Sequence, residues 1–128
     1  MSVLGHGIDL VETDRIRRLI DEHGDRALER LFTEGERAHG ADSPRRAEHL
    51  AARYAAKEAV LKALGTGWTQ GIAWTDVEVW RSPSGQPEIR LHGRAAEIAA
   101  SMGVGRWLVS LTHTAGHAAA SVIALESG

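Results

Sequence analysis

Leu50-Ala51-Ala52-Arg53-Tyr54-Ala55-Ala56-Lys57-Glu58-Ala59-Val60-Leu61-Lys62-Ala63-Leu64-Gly65 is the stretch from which the fold can be read. Alanine, leucine, lysine and glutamate lose little side-chain freedom in a helix, so the whole run favours one. Upstream, Ser43-Pro44 has the pattern of an N-cap followed by proline at the first helical position, and Gly65 suits a left-handed C-cap. The pattern predicts a helix from about Pro44 to Leu64. At about 100° per residue, Leu64, Leu50, Leu61 and Tyr54 form one stripe, while Ala51, Ala52, Ala55, Ala56, Ala59 and Ala63 fill the other side. Almost no arc is left for water, which predicts a helix packed on both sides.

Charged residues interrupt this apolar cylinder. Lys57 falls inside the leucine stripe; Glu58 and Lys62, one turn apart, stand where the stripe meets the alanine face. On an exposed helix such an i,i+4 pair is a solvated contact contributing about 0.2–0.5 kcal/mol. Among apolar neighbours, a carboxylate or ammonium is costly to desolvate unless it is paired or holds a metal. Glu58 and Lys62 are therefore candidate site residues.

The partner for this helix is found at the start of the chain. Val3 to Val11 is an apolar, β-branched run that reads as a buried strand, with Val3, Gly5, Gly7 and Asp9 on one face and Leu4, His6, Ile8 and Leu10 on the other. Gly5 and Gly7 permit close approach of another backbone, and the alanine side of the long helix suits that approach. Such packing would bring Glu58 toward Asp9. Asp9 by itself reads equally as a turn or capping group, or as a ligand. Two carboxylates suit Mg²⁺, which completes its shell with water and substrate phosphates.

Composition bounds the rest. The chain has 128 residues with 43% hydrophobic content, which predicts one domain over residues 1–128. A net charge of -2 and only four Trp, one Tyr and one Phe argue against a general nucleic-acid binder. Without cysteine there is neither a disulfide framework nor a thiol nucleophile, and no apolar run reaches membrane-spanning length. A cytoplasmic location without membrane attachment is the expectation.

Thr13 to His23 reads as a helix ending at Gly24, with Arg15, Arg17 and Arg18 on its outer side, diluted by Asp14, Asp21 and Glu22. Those arginines are either a solvated face or a basic patch. Asp25 suits the cap of a short helix through Leu31, and Thr33-Glu34-Gly35-Glu36 has capping-box spacing. Trp74 to Trp80 and Pro87 to Leu91 read as strands around Ser82-Pro83-Ser84-Gly85, and Gly93 to Met102 as a helix. Trp107 to Thr114 and Ala118 to Leu125 complete a hairpin with His113 at its turn end. A lone histidine there is commonly structural.

Taken together, Gly7-Ile8-Asp9, Arg53-Tyr54-Ala55-Ala56-Lys57-Glu58-Ala59 followed by Lys62, Gly65-Thr66-Gly67, and Ser110-Leu111-Thr112-His113-Thr114 resemble the holo-acyl-carrier-protein synthase family in order and spacing. These are the small, homotrimeric 4′-phosphopantetheinyl transferases, with sites at subunit interfaces. The resemblance implies an α+β fold, a mainly antiparallel sheet packed against a long central helix plus shorter helices. It implies Mg²⁺-dependent transfer of 4′-phosphopantetheine from coenzyme A to a serine of an apo acyl carrier protein, releasing adenosine 3′,5′-bisphosphate. Asp9 and Glu58 would hold Mg²⁺, Lys62 would contact the coenzyme A pyrophosphate and act as the acid, and Glu58 or a bound water would be the base. Arg53, Lys57, Thr66 and His113 become candidates for the nucleotide phosphates or adenine, and Arg15, Arg17 and Arg18 for carrier docking. Tyr54 stands where many relatives carry phenylalanine, a change expected to matter little. Two other functions use parts of the same pattern. A catalytically dead carrier-binding or coenzyme-A-binding module would lack the metal carboxylates, whereas another Mg²⁺-dependent phosphoryl or nucleotidyl transferase would share the trio.

Overall fold

The computed structural model describes all 128 residues. In chain order the elements are β1 (Val3–Glu12), α1 (Thr13–Leu31), α2 (Glu34–Ala38), α3 (Arg46–Leu64), β2 (Val77–Arg81), β3 (Pro87–Leu91), α4 (Gly93–Ser101), β4 (Val104–His113) and β5 (His117–Glu126). A 3₁₀ turn, Trp74–Asp76, precedes β2 where the sequence suggested that the strand had already begun. The main sheet is antiparallel in the order β1-β5-β4, and β2 and β3 form a separate antiparallel hairpin. This is the α+β architecture expected, with α3 as its axis.

Helix α3 packs on the main sheet through the glycine face of β1. A Cβ added at Gly7 would lie 1.8 Å from the Ala59 carbonyl oxygen, and one at Gly5 would lie 2.2 Å from that of Ala63. Only glycine fits at either position, and the small Ala59 and Ala63 side chains complete the close contact. Its other side meets the rest of the core, where Ile16, Leu28, Phe32 and Val77 are fully buried. Burial of α3 on both sides, inferred from its periodicity, is what the fold shows.

Two features differ from the sequence expectation. The helix begins at Arg46, because Ser43 to Arg46 forms a turn in which the Ser43 side chain accepts from Arg45 N (3.0 Å) and its carbonyl from Arg46 N (3.1 Å). Ser43 still satisfies a backbone donor, but one turn before regular helix. At the other end Gly65 adopts φ 77°, the left-handed cap expected. The second difference concerns β1, which is buried on one face only. Ile8 and Leu10 on the outer face are 60% and 66% exposed. Leu108 of β4 joins them there at 43%.

Helix α1 is broken at Gly24, whose φ of 60° and ψ of -145° are open to glycine and to almost nothing else. The segment thus behaves as the two helices expected from the sequence. Thr13 N donates to Gly116 O (3.0 Å), tying the start of α1 to the β4–β5 turn. The Thr33 capping box is formed, with Thr33 Oγ1 accepting from Glu36 N (3.2 Å) and Glu36 Oε1 from Thr33 N (2.8 Å).

Candidate active site

Strand β1 and helix α3 bring Asp9, Glu58 and Lys62 to one place. Lys62 Nζ donates to Asp9 Oδ1 and to the Ile8 carbonyl, both at 3.0 Å. Its side chain remains 55% exposed, against 18% for Asp9. Glu58 is half-buried one turn before Lys62, and both it and Asp9 bear on the Tyr54 hydroxyl. Burial raises the Tyr54 pKa; Arg15 opposes this, and the two carboxylates reinforce it. The glycine contact is thus what converts three separate sequence positions into one cluster.

The donor set fits a hard divalent cation. No group of three or more His, Cys, Asp or Glu side chains is gathered anywhere in the chain, so two carboxylates are what a metal would meet. Mg²⁺ commonly takes one or two carboxylates and leaves its remaining positions to water and phosphate oxygens. The Lys62 ammonium already lies on Asp9 Oδ1 and Ile8 O, which shows that this corner accepts positive charge.

Lys57 requires a correction. It is fully buried, with its ammonium 2.7 Å from Glu36 and donating to the carbonyls of Trp74 and Val77. An ammonium has three N–H donors, and all are used internally, so none is left for a nucleotide phosphate. Glu36 also accepts from Val79 N (2.8 Å), making the pair a strut between α2, α3 and β2. The capping box had placed Glu36 at a helix start, but nothing in its spacing pointed to Lys57.

Arg53 is likewise turned away from Asp9. It is 2% exposed, donates from Nη1 to His49 O (3.1 Å), and lines a cavity of about 180 Å³ with His39, Glu78, Trp80 and Arg81. Thr66 follows the Gly65 cap and donates to Gly67 O (2.9 Å) within the loop. His113 lies on the far outer strand, its Nδ1 3.2 Å from Glu48 Oε1 and its ring edge-on to His49 at 5.9 Å. The fold therefore joins Asp9, Glu58 and Lys62, and none of Arg53, Thr66 and His113 is hydrogen-bonded to them within one chain.

The three arginines of α1 are not equivalent. Arg15 Nη2 donates to the Tyr54 hydroxyl (3.1 Å), Arg17 pairs with Asp14 (2.8 Å), and Arg18 stands at the surface beside Leu19 and Glu22. Past the Gly24 break, Arg26 and Arg30 rim a cavity of about 560 Å³ floored by Leu19, Leu31 and Trp74. Trp74 stacks between Tyr54 and Trp68, with ring centroids at 4.8 and 3.7 Å. The sequence reading missed this basic-rimmed apolar cavity, because its walls come from segments that share no local pattern.

The family model described as the 4′-phosphopantetheinyl transferase superfamily matches residues 5–122. The holo-[acyl-carrier-protein] synthase of Solibacter usitatus is 46% identical over 121 residues, covering 94% of this chain and 97% of that one. The solved synthase of Neisseria meningitidis superposes with a TM-score of 0.87 at 28% identity, covering 98% of this chain and 100% of that one. That of Bacillus anthracis, solved in complex with CoA (3′,5′-ADP), has a TM-score of 0.80 at 31% identity, with 98% of each chain covered. The chain belongs to the 4′-phosphopantetheinyl transferase superfamily and, within it, to the holo-[acyl-carrier-protein] synthase family of enzymes. No helix is long and apolar enough to cross a membrane.

Proposed function

We propose that the protein transfers 4′-phosphopantetheine from coenzyme A to a serine of an apo acyl carrier protein, with Mg²⁺ held by Asp9 and Glu58 and adenosine 3′,5′-bisphosphate released. The observation that carries this reading is the convergence of Asp9, Glu58 and Lys62 across the Gly7–Ala59 contact. A bound Mg²⁺ would supply neutralisation of the diphosphate oxygens. The serine oxygen forms a new bond to the phosphorus that carries pantetheine, and the bond from that phosphorus to the bridging oxygen breaks. Glu58, half-buried within the cluster, takes the serine proton, and the exposed Lys62 ammonium offsets charge on the departing nucleotide phosphate. Arg17 and Arg18, on the outer side of α1, offer a carrier with an acidic face its first contacts.

The whole chain acts as one catalytic domain in this proposal, working in the cytoplasm as a homotrimer. The outer face of the main sheet supports self-association, since Ile8, Leu10 and Leu108 present exposed apolar side chains on it. Light scattering at micromolar concentration should report a trimer, and Leu10→Lys should shift it toward monomer. A wild-type protein that stays monomeric would overturn the assembly.

The reaction is tested by incubating the protein with coenzyme A, Mg²⁺ and an apo carrier protein, followed by mass spectrometry of the carrier. The expected product is the carrier plus one phosphopantetheine on serine, formed with Mg²⁺ and lost on chelation. An unmodified carrier in the presence of a folded, Mg²⁺-supplied protein would overturn the proposal.

A further inference from the structure

The outer face of the main sheet is nearly free of charge in a chain whose residues are 25% charged. Strand register sets its side chains out in rows: His6, Ile123 and Leu108, then Ile8, Ser121 and Ser110, then Leu10, Ala119 and Thr112. No Lys, Arg, Asp or Glu stands in any of these rows. The one group there that can gain a charge is His6, which is exposed, with its Nε2 3.4 Å from Ser121 Oγ.

The other ionisable side chains of the three strands are engaged elsewhere or stand at the ends of the sheet. Asp9 points to α3 and accepts from Lys62, Glu126 Oε1 accepts from Ser2 N (3.0 Å), and His113 is 3.2 Å from Glu48. Arg106 stands in register with Leu125 at one end, and Glu12 with His117 at the other. Helix α3 packs on the opposite face, through Gly5 and Gly7, and presents nothing to His6. His6 therefore has a serine hydroxyl beside it and no carboxylate to compensate a proton.

We propose that His6 is a pH switch on self-association: further copies of this chain cover the outer face of the sheet while the imidazole is neutral, and its protonation releases them. This inference rests on the homotrimer proposed above and adds its control. A charge-free face gives an acidic or basic partner nothing to pair with, whereas a copy of itself matches it, apolar rows against apolar rows. Neutral imidazole carries one donor and one acceptor, so the Ser121 hydroxyl satisfies part of it within the layer. A closed trimer places three such imidazoles in that layer. Enclosing an imidazolium there without a counter-charge is costly, so the assembled face excludes the proton that separated subunits take up. Assembly is thus strongest above the ordinary imidazole pKa of about 6.5 and weakens as pH falls below it.

The test is sedimentation velocity with light scattering at micromolar concentration, from about pH 8 to about pH 5.5, on wild type, His6→Gln, His6→Leu and His6→Arg. Circular dichroism at each pH separates dissociation of folded subunits from unfolding. Wild type should be trimeric at the upper end and dissociate reversibly, folded, as pH falls. Its overall dissociation constant should rise by up to about 10³-fold per pH unit, for three protons taken up per trimer. His6→Gln and His6→Leu should stay trimeric throughout, and His6→Arg should be a folded monomer throughout. A wild type that stays trimeric at the lower end, or that loses its trimer only on unfolding, would overturn the switch and leave the trimer standing. So would a His6→Gln protein that dissociates along the wild-type curve, or a His6→Arg protein that assembles like wild type. A wild type that is monomeric even at the upper end would instead sink the proposed assembly, and this inference with it.

Discussion

Lys57 and Lys62 stand little more than one turn apart on α3, and each has a carboxylate close by, Glu36 at 2.7 Å and Asp9 at 3.0 Å. The Lys57 pair is wholly sealed, and every donor of its ammonium is spent inside the protein. The Lys62 pair opens to water on one side, with the ammonium 55% exposed. The same two functional groups thus serve opposite ends. A closed pair with all partners present fixes three elements together, whereas an open pair with partners to spare can exchange them for a ligand. Burial by itself does not mark the candidate site; incomplete satisfaction beside an accessible surface does.

The largest effect should come from breaking the sealed pair. Lys57→Ala leaves Glu36 buried without its counter-charge and should cost about 3–5 kcal/mol in urea unfolding. A loss comparable to an exposed substitution would erase the distinction between the two lysines. Next in size are Asp9→Asn and Glu58→Gln, which keep shape but remove anionic ligands. Carrier modification at limiting Mg²⁺ should fall by about 10²–10³-fold, with circular dichroism unchanged. Wild-type turnover in both folded variants would end the metal assignment. Lys62→Met sharpens the contrast from the other side. It should change stability by less than ~1 kcal/mol while lowering turnover more than Mg²⁺ affinity, read by calorimetry and single-turnover kinetics.

The smallest effect expected is one of pH on the sealed side. His39 and His49 have pKa values lowered from the ordinary 6.5, first by burial and then by the charge of Arg53. The folded protein keeps them neutral where the unfolded chain binds protons. Their influence is therefore nil above the unfolded pKa, and stability falls as pH drops from about 6.5 toward the lowered folded values. Thermal unfolding across that window should show the decline, and His39→Gln/His49→Gln should flatten it. An identical slope in the double variant would place the acid sensitivity elsewhere.

Much of this molecule is written in local pattern. The α3 periodicity, its Gly65 cap, the glycine face of β1, the Thr33 capping box and the β4–β5 hairpin each depend on residues within a turn or two of one another, and each forms as the sequence indicates. Gly5 and Gly7 even announced which faces would meet, because a backbone approach needs the absence of a side chain at regular spacing. The convergence of Asp9 with Glu58 and Lys62 followed from that one inference. What the sequence could not decide is which charges become partners once distant segments pack. Lys57 with Glu36, Glu48 with His113, and Arg15 with Tyr54 are set by how α1, α2 and the hairpin close around α3. Nor could alternation show that Leu4, Ile8 and Leu10 face outward, since an apolar strand reads alike whether its second face meets a helix or is left exposed. Periodicity fixes a residue's direction from its own helix or strand; only tertiary packing fixes what stands in that direction, and so separates a buried strut from an open site.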